Sequence, residues 1–159
     1  MRTFTALTLA GLLMATGSAM AGGTVGQLAV SDSAGFETQL KTLQRDMADG
    51  KTYSELDQKQ RGDVSAALDR IRTDLSTYGS VSSMPEETKL RVFNDQELVN
   101  TILTKGREDS RLLCERVTPV GSHRPTTYCK TVAERRRDRE RSQDALRSVQ
   151  RPAETLVSP

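Results

Sequence analysis

Both cysteines of the chain, Cys114 and Cys129, fall in one run, "CERVTPVGSHRPTTYC", which also holds its single histidine, His123. A bond between them would constrain every other choice the fold makes, because a disulfide keeps its Cα atoms within about 7 Å. The spacing suits a hairpin. With Gly121-Ser122 as a two-residue type II′ turn, glycine takes the position that needs positive φ and Val120 faces His123. Counting outward, Cys114 falls opposite Cys129, at the about 4.5–5.5 Å separation of directly paired residues. Pro125 conflicts with that ladder. It would face Thr118 where a donor is needed, so a bulge or a wider tip is expected.

Two other chemistries would use the same residues. A zinc site on Cys114, His123 and Cys129 would have C-x8-H-x5-C spacing, with no second close pair and no fourth ligand. A redox-active pair takes C-x-x-C spacing. The reading is therefore a structural disulfide, no metal, and an exposed tip whose contact surface is Val120, His123, Arg124 and Tyr128.

The compartment supports oxidation. The chain opens "MRTFTALTLAGLLMATGSAMAGG", with Arg2 as a positive n-region and Phe4 to Met14 as an apolar stretch. Ala19-Met20-Ala21 then presents a small-residue cleavage pattern before Gly22. Residues 1–21 read as a cleaved secretory signal peptide. The apolar run is shorter than the about 20 residues a span needs, and threonines and a glycine interrupt it. No later stretch is apolar enough to span a bilayer. Disulfides form and persist in periplasm and medium, so the expected location is periplasmic or secreted.

Residues 22–32 carry glycines without periodicity and read as a flexible leader. An acidic helical region, 33–106, follows. Phe36, Leu40, Leu43 and Met47 share one helical face, and Gly50 suits a left-handed C′ position. Thr52-Tyr-Ser-Glu55 reads as a capping box. It opens a second helix along Leu56, Val64, Leu68, Ile71, Leu75 and Tyr78, with Gly62 a weak point inside and Gly79 the stop. Pro85 sits in the first turn of a third helix. Asn94-Asp-Gln-Glu97, flanked by Phe93 and Leu98, resembles a second helix start, so a hinge at Asn94 is expected. Leu98, Ile102 and Leu103 are read as core-facing, and Gly106 as the end of the helix.

Residues 107–151 read as a disulfide hairpin with a basic helix, and 152–159 as a flexible tail. Thr131-Val-Ala-Glu134 is a further capping box. The helix after it, "RRRDRERSQDALRSVQR", has an apolar stripe only at its ends. Arg135, Arg136, Arg137, Arg139 and Arg141 are its candidate polyanion-binding residues. From Gly22 to Gly106 there are 10 basic and 13 acidic residues, a net of −3; from Arg107 to Arg151 there are 12 and 7, a net of +5. The fold class is mainly α: three to four helices, plus a disulfide-closed β-hairpin or loop before the C-terminal helix.

"CERVTPVGSHRPTTYCKTVAE" resembles a recurrent element of small exported proteins of proteobacteria. That element runs Cys, a charged pair, Thr or Pro, Gly-Ser-Arg, a short arm, Cys, a basic residue, then Thr-x-x-Glu. Cys114, Glu115, Arg116, Gly121, Ser122, Cys129, Lys130, Thr131 and Glu134 match it. His123 stands after the serine, with Arg124 one step later. The resemblance implies export and the clasp, and carries no activity with it.

Catalytic patterns are missing. No Gly-rich phosphate loop, H-E-x-x-H or G-x-S-x-G occurs, and the lone imidazole falls at a tip, where it is poorly held for general-base work. Acids interleave with the arginines, and the basic helix lacks aromatics to stack on bases, so nucleic acid is not an expected partner. The expectation is an exported, non-enzymatic interaction or structural protein without cofactor. Its partner would be an envelope or secreted protein. The alternative is a binder of anionic envelope components through the Arg-rich helix. Neither reading makes the cleaved chain an integral membrane protein.

Overall fold

The computed structural model describes residues 27–150. The expected signal peptide, the first part of the leader, Arg151 and the 152–159 tail lie outside the described residues. In chain order the elements are α1 (Ser33–Ala48), α2 (Gln58–Tyr78), a 3-10 turn (Val81–Ser83), α3 (Glu86–Ser110), β1 (Leu112–Val117), β2 (Thr126–Thr131) and α4 (Val132–Gln150). The architecture is mainly α, with a disulfide-closed hairpin directly before the C-terminal helix.

The base is α1, α2 and α3. Val64, Ala67, Leu68, Ile71 and Leu75 of α2 meet Val92, Val99 and Leu103 of α3, and α1 adds Phe36, Leu40 and Leu43. Arg70 pairs with Asp95 and Arg91 with Asp74. Numbers that rise on one helix and fall on the other show that α2 and α3 run antiparallel. Glycine makes the exits: Gly50 and Gly79 have φ of 66° and 77°, as expected of the residues that stop α1 and α2.

Three boundaries differ from the sequence reading. The helix after Gly50 begins at Gln58, with Asp57 as N-cap. Asp57 accepts from Gln60 N at 2.7 Å, and the Gln60 side chain accepts from Asp57 N at 3.0 Å. The Thr52 box does not form, because Thr52 donates its hydroxyl to Asp49 and Glu55 is drawn elsewhere. Between them Tyr53 is buried, and Arg61 donates to the carbonyls of Tyr53 and Leu56. Residues 51–57 are thus a packed link, not a first helical turn.

The second difference is that α3 runs unbroken through Asn94. Its start-like residues are tertiary ligands: Asp95 holds Arg70, and Gln96 accepts from Val30 N. Phe93 and Leu98 are exposed and form no staple; Leu98, read as core-facing, is 40% exposed. Third, Gly106 lies inside α3. A Cβ there would sit 2.5 Å from Leu56 Cδ2 and 2.9 Å from its Cγ, so glycine permits the close approach of α3 to the link.

Residues 27–32, read as part of a flexible leader, are packed. Leu28 is buried with the core, and Asp32 caps α1 by accepting from Gly35 N at 2.8 Å. Val81 N donates to Ser31 O and Ser33 N to Gly79 O, which pins the start of α1 to the end of α2.

Candidate functional site

The hairpin and α4 form one module, and Glu55 joins it to the base. Ser110 Oγ accepts from Glu55 N at 3.0 Å and fixes the link beneath the end of α3. Glu55 Oε1 accepts from Thr131 Oγ1 at 2.6 Å, and Oε2 accepts from Arg137 Nη1 at 2.7 Å. Thr131 still caps α4, accepting from Glu134 N at 3.0 Å. Next to this, Asp109 takes both terminal nitrogens of Arg136, at 2.9 and 3.2 Å. The Arg137 hydrogen bond holds the Glu55 carboxyl below its ordinary range, and the Arg136 hydrogen bond does the same for Asp109.

The clasp has the expected register. Cys114 pairs with Cys129, and the ladder runs from Leu112↔Thr131 to Val117↔Thr126. Its hydrogen-bond phase differs from that of a two-residue turn. The cysteine Cα atoms are 4.0 Å apart, as in a non-hydrogen-bonded pair, and Val132 N donates to Arg111 O three steps away. Pairing stops at Val117↔Thr126, just short of Pro125, which in this phase would fall at a position that needs no donor. The tip widens to residues 118–125. Within it Ser122 N donates to Pro119 O, and Gly121, with φ of 82°, is the third residue of that turn. Gly121-Ser122 is not the type II′ turn expected.

The four proposed contact residues separate. Val120, His123 and Arg124 are exposed in the tip, Val120 completely. Tyr128 lies on β2 opposite Glu115, away from the tip. It shares the strand face of Leu113, Glu115 and Lys130, since side chains two apart point the same way. That face meets α4. Arg135 donates to Glu115 at 2.5 Å, and Lys130 pairs with Asp138. The Lys130 ammonium lies 5.3 Å from the Tyr128 ring centre, and the Asp138 hydrogen bond raises its pKa. The result is an open groove lined by Leu113, Glu115, Tyr128, Lys130, Arg135 and Arg139. Arg135 Nε is buried there and has no hydrogen-bond partner among the described residues.

The five arginines read as polyanion-binding also separate. Arg135, Arg136, Arg137 and Arg141 reach Glu115, Asp109, Glu55 and Asp138. Arg139 faces the groove and makes no ion pair among the described residues. The structure thus brings Tyr128, Arg135 and Arg139 together, and turns Arg136 and Arg137 toward the base. Beyond Asp138 every residue of α4 through Gln150 is exposed.

Glu55 and Asp109 were missed as docking residues: a capping box explained Glu55 locally, and Asp109 belongs to no motif. The opposite net charges of the two regions were the available signal. No group of His, Cys, Asp and Glu among the described residues is arranged to hold a metal ion. None of the described helices is long and apolar enough to cross a membrane. No family model, curated protein or solved structure matches the chain.

Proposed function

We propose that this chain is an exported, non-enzymatic interaction module that presents its clasped hairpin, and the groove beside it, to a protein partner. The observation that carries this is stiffness without burial. A two-stranded hairpin is marginal by itself in water. Here a disulfide and the Arg135–Glu115 and Lys130–Asp138 pairs hold it, yet its strands are exposed over most of their length. Val120, Tyr128 and Arg124 are left for contact. The buried Arg135 Nε and the neighbouring Arg139 favour a partner that brings a carboxylate to the groove. The disulfide also fits a periplasmic or extracellular location.

Binding of anionic envelope surfaces is the weaker reading, since four of the five arginines already hold carboxylates of the same chain.

The test is photocrosslinking in the native host, with the probe placed at Val120 or Tyr128. A discrete protein adduct from either position, abolished by Arg124→Glu or Arg139→Glu, is the expected result. Adducts unchanged by both substitutions would remove this surface from consideration. The intact mass of the same protein, alkylated before and after reduction, tests export. It should begin at Gly22 with both thiols protected until reduced. A full-length mass with free thiols would overturn export.

A further inference from the structure

Residues 27–31 cross the groove between α1 and α3 as an extended strap, and they are held in an uncommon way. Asn100 accepts from Leu28 N at 2.7 Å and donates to Leu28 O at 3.0 Å. Gln39 does the same for Ala29, at 2.9 and 2.8 Å. Gln96 accepts from Val30 N at 2.9 Å. Five hydrogen bonds thus run from three carboxamides to main-chain groups. A carboxamide carries one acceptor and two donors, so it meets an extended residue as a neighbouring strand would. Among the strap side chains only Leu28 is buried; Gln27, Ala29 and Ser31 are exposed and Val30 is half-buried. Beside Gln27 and Leu28 lies a cleft lined also by Thr42, Leu43, Asp46, Tyr53, Leu103 and Arg107.

A core segment is normally specified by several buried side chains. This one is specified largely by its backbone, with Leu28 buried as the main anchor and Val30 packed half-buried against the core. Nothing in the grip recognises Ala29 or Ser31 by side chain. The same contacts are available to any extended chain that offers a leucine-sized residue and a smaller apolar one two positions on. The strap also stands at the edge of the fold, where local opening costs less than global unfolding.

We propose that the α1–α3 groove is a peptide-binding site that reads an extended main chain with a leucine-type anchor and a smaller apolar residue two positions on. The chain's own residues 27–31 fill it as a displaceable occupant. The partner it fits is an extended segment of another polypeptide with that pattern. Recognition follows strand addition, with side-chain amides in place of a sheet edge.

The test uses the full chain and a fluorescent peptide of the strap sequence, QLAVSD. Leu28→Asp disables the resident strap. Ala29→Pro disables it without placing a charge in the core, since proline has no N–H for Gln39. The peptide should bind both variants, as read by anisotropy. It should bind the wild-type chain about a hundredfold more weakly, because the tethered strap competes at millimolar effective concentration. Gln39→Ala with Asn100→Ala in the Ala29→Pro background should abolish binding. So should N-methylation of the peptide alanine, which leaves every side chain in place.

Folded variants with no saturable binding up to about 1 mM peptide, an affinity of only about −4 kcal/mol, would overturn the proposal. So would binding insensitive to N-methylation. If neither variant folds alone, the strap is an obligate part of the core and not a displaceable occupant, and the proposal fails. A wild-type dimer that becomes a monomer with Leu28→Asp would assign the groove to the strap of a second copy, and would refute a separate partner.

Discussion

Replacing Gly106 by alanine should destabilise the fold, although the same change in an open helix stabilises it. Glycine inside a helix costs about 1 kcal/mol relative to alanine. Gly62 in α2 shows that cost alone: a Cβ there would meet nothing within 4 Å. Gly62→Ala should therefore stabilise by about 1 kcal/mol. At Gly106 the added Cβ lies 2.5 Å from Leu56 Cδ2 and 2.9 Å from Cγ. Leu56 is buried, so it has no free space to swing into. Overpacking of this kind costs about 1–3 kcal/mol. Set against the helix gain, Gly106→Ala should lose about 1 kcal/mol, which separates the two variants by about 2 kcal/mol. With a urea slope of about 2 kcal/mol/M, the unfolding midpoints should differ by about 1 M. Leu56→Ala combined with Gly106→Ala should cost less than the sum of the two changes, because the clash is between those two groups. Equal stabilisation by both alanines would refute the close approach.

Three further outcomes are expected. Reducing the Cys114–Cys129 bond should melt the hairpin locally, because the strands bury little else; amide exchange at Glu115 and Tyr128 should rise while that of α2 stays slow. The bond's worth is about 3 kcal/mol for a loop of this length, and unchanged hairpin exchange would contradict that. Acid should undock the module. Glu55 and Asp109 have folded-state values below their ordinary 4.5 and 3.8, so their contribution is complete above those values. It declines as the pH falls below them, and is gone below the depressed folded values. Amide spectra of α4 followed from pH 7 to pH 2 would show this, and the effect should vanish in Glu55→Gln with Asp109→Asn. Arg70→Ala should cost more than Asp95→Asn, about 3 against about 1 kcal/mol, because it strands a carboxylate 10% exposed while Arg70 is 47% exposed and can turn to water. Equal losses in thermal unfolding would show that the pair is not buried in the sense argued.

What could be read beforehand followed from local rules. The exits at Gly50 and Gly79, the periodic face of α1 and the cysteine register depend on neighbours in sequence, and they stand in the structure. What failed were local signals whose side chains had distant uses. Asp95 and Gln96 look like helix-start residues, but one holds Arg70 and the other the strap. Glu55 looks like a capping residue, but Thr131 and Arg137 hold it. Leu28 sits among glycines and shows no period, yet the groove buries it, because Asn100 and Gln39 supply main-chain partners that no periodicity reveals. The site was legible in composition but not in arrangement: Tyr128 and Arg139 were both identified, in separate groups, and only the hairpin's contact with α4 puts them in one groove.

The carboxylate hub at Glu55 also sets an order of events. Arg137 lies 82 residues further along the chain. At a synthesis rate of about 5–20 residues per second, Glu55 waits roughly 4–16 s for its partner to be made. The base has all of its core residues only for the last part of that interval, the 27 residues between Asp109 and Arg136, and there Glu55 and Asp109 lack their arginine partners. A chain stopped after Asp109 would hold every core residue of the base and leave this acidic socket open. Only the finished chain carries the basic plug that closes it.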